Sequence, residues 1–170
     1  EVGRRPPRIR VAEVLLDDRL LGLMRTGTTT LLVFRLYDDP DAGIGVPISL
    51  TTGDARALPF ADADFDTVVA CLVFCTIPEP EKAAQEAFRV LRPGGRLVFF
   101  EHVVSPHGTT RAWQNRLNPL WRKMACGCEI NRDTRALFEA AGFRYESIDD
   151  FIHPKVPALV APVIAGVAFK

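Results

Sequence analysis

The sequence predicts an α/β fold with a mostly parallel sheet and an antiparallel last strand, on three observations. A short apolar, β-branched run at 66–72 is followed by a helical pattern at 81–91 and a second apolar run at 96–101. Strand, helix and strand over that length make a βαβ unit, whose two strands must be parallel. Two further strand-like runs close the chain, joined by a proline-rich link too short for a crossover helix, so that pair should be antiparallel. The size suits one domain: 170 residues and 18.8 kDa. With 48% hydrophobic and 25% charged residues the composition is globular. Lys and Arg (21) cancel Asp and Glu (21), leaving no net field to attract nucleic acid or an anionic membrane. No apolar run reaches the roughly 18–20 residues of a membrane span, because 156–169 is broken by Pro157 and Pro162. With no leader pattern, the expectation is a soluble, cytoplasmic domain; the missing initiator Met suggests a fragment.

Each element has a local reason. In 66–72 the residues Thr67, Val68 and Val69 suit a strand buried on both faces, and Thr76-Ile77-Pro78-Glu79-Pro80 reads as the loop after it. In 81–91, Ala84, Ala87, Phe88 and Leu91 fall on one helical face with Lys82 and Glu86 outside it. Pro80 suits the first turn, and Pro93-Gly94-Gly95 should stop the helix and reverse the chain. Trp113, Leu117, Leu120, Trp121 and Met124 form an apolar stripe read as core, and Pro119 suggests two short helices with Asn118 capping the second. A helix at 131–141 would be capped by Asn131 or Asp133, turn Leu137, Ala140 and Ala141 inward, and stop at Gly142. The closing strands fall at 143–151 and 163–169. Upstream, a helix at 11–24 and strands at 31–36 and 46–51 are expected, the last leading into Gly53-Asp54.

Four cysteines, Cys71, Cys75, Cys126 and Cys128, lack the spacing of a structural zinc site and read as reduced, partly buried thiols; no metal is expected. The chemistry begins at Asp54. A strand ending in Gly-Asp would put a carboxylate at the C-terminal edge of a parallel sheet, where open α/β folds bind ligands and where it could accept from an exocyclic amine. The plainer reading is a turn cap.

In order along the chain, "GDARALPFADADFDTVVA" and "FRVLRPGGRLVFFEH" resemble the class I S-adenosylmethionine-dependent methyltransferases, in the branch with the ubiquinone and menaquinone C-methyltransferases. "CLVFCTI", "FFEHV", the Trp113–Trp121 insertion and "GCEINRDTRALFEAAGF" are similar to a narrower group whose animal members methylate thiols. The resemblance covers residues 53–170 and implies a Rossmann-like sheet, S-adenosyl-L-methionine as cofactor and a small-molecule acceptor, thiol or quinol. It implies that Asp54 and Ala55 flank the adenine and that Cys71, Leu72 and Val73 face the methionine half, with Cys75 behind them. Glu101 and His102 would border the substrate pocket, and Trp113, Trp121 and Cys128 would belong to its lid. A thiol or phenol acceptor must lose a proton, and His102 is the candidate base; a strand-end His hydrogen-bonded to backbone is the alternative. His107 and His153 read as loop residues, and Arg111, Arg116 and Arg122 as a solvated face.

The resemblance fails upstream. The family's first strand leads into a Gly-rich cofactor turn, and Glu1-Val2-Gly3 begins that pattern, with Gly3 as its first glycine. Arg4-Arg5-Pro6-Pro7 then stands where further glycines are needed for a tight turn and close ligand approach. The distance from Glu1 to Gly53 matches the family's spacing, so residues 4–50 read as a stretch translated out of frame. A rival reading is therefore an inactive fragment, binding a partner or nothing. A nicotinamide-dependent reductase is disfavoured, since neither Tyr37 nor Tyr145 is followed four residues on by Lys and no dinucleotide glycine fingerprint occurs.

Overall fold

The computed structural model describes residues 53–125, 127–154 and 156–170, together with the backbone of three short upstream strands. Those strands, β1 (Val11–Ala12), β2 (Val33–Leu36) and β3 (Ile48–Thr51), form an antiparallel sheet in the order β1-β2-β3. Val11 and Ala12 are therefore extended, not the start of a helix; the remainder of the expected 11–24 helix lies outside the described residues. Strand β3 does lead toward Gly53-Asp54, but its partner β2 is antiparallel, so Asp54 does not follow a strand of the parallel pair.

The main sheet is built from β4 (Phe65–Cys71), β5 (Leu91–His102), β6 (Arg144–Ile152) and β7 (Pro162–Phe169), in the order β4-β5-β7-β6. β4 and β5 are parallel, joined by helix α1 (Pro80–Val90), and β7 runs antiparallel to both β5 and β6. The fold class is thus the expected α/β one, with its antiparallel last strand inserted between β5 and β6.

Helix α1 starts on Pro80, whose missing N–H is no loss in a first turn. It ends at Val90, earlier than the glycines suggest, because Leu91 already pairs with Phe65. Gly94 (φ 74) and Gly95 then make an excursion inside β5 before pairing resumes at Arg96. A Cβ on Gly95 would lie 2.8 Å from the Arg92 carbonyl oxygen and 3.1 Å from that of Asp66, so only glycine fits.

Side chains alternate along β5: Leu97, Phe99 and Glu101 are buried while Val98, Phe100 and His102 are half-buried. The core lies on the first of these faces. Phe65, Val68, Ala70, Leu97, Phe99, Ile164 and Ala168 of the sheet meet Ala84, Ala87 and Val90 of α1. Helix α3 (Thr134–Ala140) adds Leu137 and Phe138, with the Phe138 ring 4.9 Å from Phe74 and 5.3 Å from Phe99. Asp133 caps α3 by accepting from the Ala136 N–H at 3.0 Å, and Gly142 (φ 105) ends it, both as expected. Ala140, expected to point inward, is exposed, and Phe138 takes the buried position.

Helix α2 (Gly108–Met124) differs most from expectation. It is one continuous helix with Pro119 inside it, not two. Asn118 caps nothing within it; its side-chain oxygen accepts from the Ile130 N–H at 3.0 Å. The apolar stripe is core only in part: Trp113, Leu120 and Met124 are exposed, while Leu117 and Trp121 are half-buried, Trp121 packing against a buried cluster. The helix docks along the neighbouring row Gln114, Asn118, Trp121 and Ala125. Gln114, fully buried, accepts from the Ser105 N–H (2.7 Å) and donates to the carbonyls of Val103 (3.2 Å) and Leu159 (2.9 Å).

Candidate functional site

The C-terminal ends of the parallel strands β4 and β5 are the ligand edge of such a sheet, and the chain there is braced from several directions. Leu72, directly after β4, is left-handed (φ 53), a conformation unfavourable for a branched side chain, and its N–H is held by the Phe100 carbonyl at 2.8 Å. This bend leaves Cys71 and Leu72 exposed at the strand end and turns Val73, Phe74, Cys75 and Ile77 into the interior.

What holds the buried turn is Glu101. Its carboxylate, wholly buried, accepts from the N–H groups of Val73 (2.8 Å), Phe74 (3.0 Å) and Cys75 (3.3 Å). Those bonds favour the anion, but removal from water outweighs them and pushes the Glu101 pKa up to about 7. The carbonyl side of the same turn is held by Arg132, whose guanidinium donates to the carbonyls of Phe74 and Ile77 and pairs with Glu129 at 2.9 Å. Glu129 closes the set by donating its own N–H to the Cys75 carbonyl at 2.7 Å. On a strand, Glu101 and His102 face opposite sides, and Glu101 faces inward beneath the turn it holds.

His102 is half-buried on the other face. Its Nδ1 is buried without a hydrogen bond among the described residues. Burial first, and His153 last, lower its pKa, so the ring is neutral at neutral pH. Beyond the end of β5 lies a cavity of about 350 Å³ lined by Val103, Val104, Arg111, Asp133, Arg135 and Asp150.

A second wall comes from the turn at Asp54. Ala55 is buried in it, and the Ala57 N–H donates back to the Asp54 carbonyl at 3.0 Å. The Asp54 carboxylate accepts from the Arg56 N–H (2.9 Å), Nε (3.0 Å) and Nη2 (2.7 Å), which holds its pKa below the ordinary value. With a further contact from Nε to Oδ2 at 3.1 Å, Arg56 makes four hydrogen bonds to the carboxylate and fills its roughly four lone-pair directions. Arg56 also reaches Glu79 at 2.9 Å, tying the turn to the loop before α1. From α1, Glu86 accepts from the Leu58 N–H at 2.7 Å, and Arg89 donates to the carbonyls of Leu58 and Phe60. Glu86, expected on the outer face, is thus turned toward this loop.

The structure places Asp54 and Ala55 in a turn tied by Arg56 to the loop before α1, and Cys71, Leu72 and Val73 at the C-terminal end of β4, while Gly3 lies outside the described residues. Residue types alone gave no sign of the bracing by Arg56, Glu86, Arg89 and Arg132. Trp121 and Cys128 pack against Cys75, whereas Trp113 stands in solvent. Arg111, Arg116 and Arg122 are exposed as expected, with Arg111 also donating to the Ser105 carbonyl at 2.9 Å. Cys71, Cys75 and Cys128 are thiols. Among the described residues no cluster of three or more metal-ligating side chains occurs, and no helix is long and apolar enough to cross a membrane.

A family model described as a methyltransferase domain matches residues 35–99, beginning upstream of the Gly53 boundary drawn from the motifs. The chain is 40% identical over 118 residues to the thiol S-methyltransferase TMT1B of Homo sapiens, covering 69% of this chain and 48% of that protein. It is 44% identical over 66 residues to the ubiquinone/menaquinone biosynthesis C-methyltransferase UbiE of Roseobacter denitrificans, 39% of this chain and 26% of that one. The chain thus spans about half the length of the thiol S-methyltransferases it matches. Among solved structures, a SAM-dependent methyltransferase from Methanosarcina mazei aligns with a TM-score of 0.58 at 16% identity, over 91% of this chain and 78% of that one. The cyclase SpnF aligns at 0.53 and 22% identity, over 71% and 54%, so this fold alone does not fix the reaction. Fold, motif order and relatives agree, and the chain belongs to the class I S-adenosylmethionine-dependent methyltransferases.

Proposed function

We propose that this domain transfers a methyl group from S-adenosylmethionine to a small-molecule thiol. The observation that carries the reading is the braced loop at the end of β4, in a chain 40% identical to a thiol S-methyltransferase over 118 residues. Asp54 would accept from the adenine amine in place of one of its Arg56 hydrogen bonds, beside buried Ala55. Cys71 and Leu72, with the Val73 backbone, would wall the methionine half, and Gly3 would belong to the turn under it. Bound there, the cofactor supplies an electrophilic methyl on a sulfonium. The chain's own task is to hold the acceptor sulfur in line and exclude water. His102 takes the thiol proton, its burial-lowered pKa keeping the ring neutral and able to accept it.

Isothermal titration of the chain with S-adenosylhomocysteine, beside Asp54→Ala, tests the reading. We expect saturable heat that the substitution abolishes, followed by methylated product when small thiols are supplied with cofactor. No heat from the folded chain would assign it instead to the inactive class, with Arg4-Arg5-Pro6-Pro7 in place of the cofactor turn as the cause.

A further inference from the structure

Cys75 and Cys128 are 53 positions apart in sequence, yet the fold seats them against each other. The segment around Cys128 runs beside the turn after β4. The Glu129 N–H donates to the Cys75 carbonyl at 2.7 Å, and a Cβ on Gly127 would lie 3.7 Å from the Thr76 carbonyl oxygen. Both thiols sit in one small buried cluster with Ile130 and Val160, against which the partly buried Trp121 packs. Cys75 is 1% exposed and Cys128 8%, so Cys128 is the more accessible of the two.

We propose that Cys128 and Cys75 form an oxidation site in which Cys128 reacts with a hydroperoxide and Cys75 resolves the product into a disulfide. The environments of the two sulfurs differ in the sense this requires. The adjacent Cys75 thiol, the Trp121 indole beside it and the nearby Arg132 charge bring the Cys128 pKa down to about 7. Cys75 is pushed up by the neighbouring Cys128 and by burial, so it keeps its proton. In the first step the Cys128 thiolate attacks the peroxide: an S–O bond forms, the O–O bond breaks, and the departing hydroxide takes up a proton as water. In the second, the Cys75 sulfur attacks that of the sulfenic acid. The S–S bond forms, the S–O bond breaks, and the hydroxide leaves as water with the Cys75 proton. Two thiols are oxidised by two electrons and one hydroperoxide is reduced. The product would fasten covalently the turn and the segment that Glu129 and Arg132 now hold by hydrogen bonds. The proposal does not depend on the methyl-transfer reading.

The test is peptide mapping of the full, native chain after brief treatment with hydrogen peroxide. We expect a loss of two hydrogens in the intact mass and a reducible cross-linked peptide pair containing Cys75 and Cys128. Cys75→Ser should stop at a dimedone-trappable sulfenic acid on Cys128, Cys128→Ser should abolish both products, and Cys126→Ser should leave the cross-link intact. A cross-link through Cys71 or Cys126 would overturn the proposal. So would an unchanged mass in native protein under conditions that oxidise the guanidine-unfolded chain. The wild-type map decides the matter even where a variant does not fold.

Discussion

Glu101 shows how a single side chain can serve a site it never touches. A carboxylate taken wholly out of water is normally destabilising, and this one is retained because three consecutive N–H groups of the turn after β4 have no other buried acceptor. Its pKa is raised on folding, so the folded chain holds the proton more tightly than the unfolded chain between about 4.5 and 7. That contribution is fully present below the lower value and is lost as pH rises through the upper one. The shift from 4.5 to about 7 corresponds to on the order of 3 kcal/mol at ~1.4 kcal/mol per unit. Glu101→Gln should therefore abolish a decline in stability that the wild type shows across that window relative to the variant, measured as denaturant midpoints from pH 5 to 8. Parallel curves for the two proteins would contradict the assignment. The orientation of Glu101 and His102 to opposite faces was legible in the sequence, since adjacent strand residues must alternate. Which of the two faces inward was not, because that depends on where α1 and α3 pack.

At the scale of elements, α2 carries the clearest lesson. Its apolar residues at helical spacing point to one face, yet the helix docks by the row one position along, where two amides and Trp121 meet backbone groups and the Cys75 cluster. Gln114 at spacing four from Asn118 and seven from Trp121 was the available signal. Hydrophobic periodicity misses it because a buried amide satisfying backbone groups contributes nothing to an apolar pattern. The exposed stripe of Trp113, Leu120 and Met124 follows directly from that choice. Pro119 sits in the helix interior on an exposed position, where it removes an N–H and its ring crowds the preceding turn. Pro119→Ala should raise stability by about 1–3 kcal/mol, less whatever the proline contributes by restricting the unfolded chain. A lowered thermal midpoint would mean that the helix is broken there after all.

Across the whole molecule, one sheet face is sealed by α1 and α3, and the loops after β4 and around Asp54 are braced through Glu101, Arg132, Arg56 and Arg89. The upstream segment stands apart from this plan: β3 pairs antiparallel with β2 in its own sheet. Residues 4–50 lack the glycines of a cofactor turn while keeping its spacing to Gly53. We expect the coding DNA across this stretch, read in another frame, to restore glycines after Gly3. Their absence from all three frames would make the Arg-Pro run native and leave the site without that turn.

The sequence by itself determined the βαβ unit, the antiparallel closing pair and the Gly142 stop, and narrowed the cap to Asn131 or Asp133, because these rest on periodicity and on backbone conformations that few residues tolerate. The order of the methyltransferase motifs was equally visible, since it depends only on neighbours along the chain. Tertiary structure alone decided that Glu101 and Arg132 grip one turn, that Arg56 engages Asp54, that α2 docks by its amides, and that Cys75 meets Cys128. Each of these joins groups distant in sequence or chooses between helical faces, and burial around a particular core makes the choice.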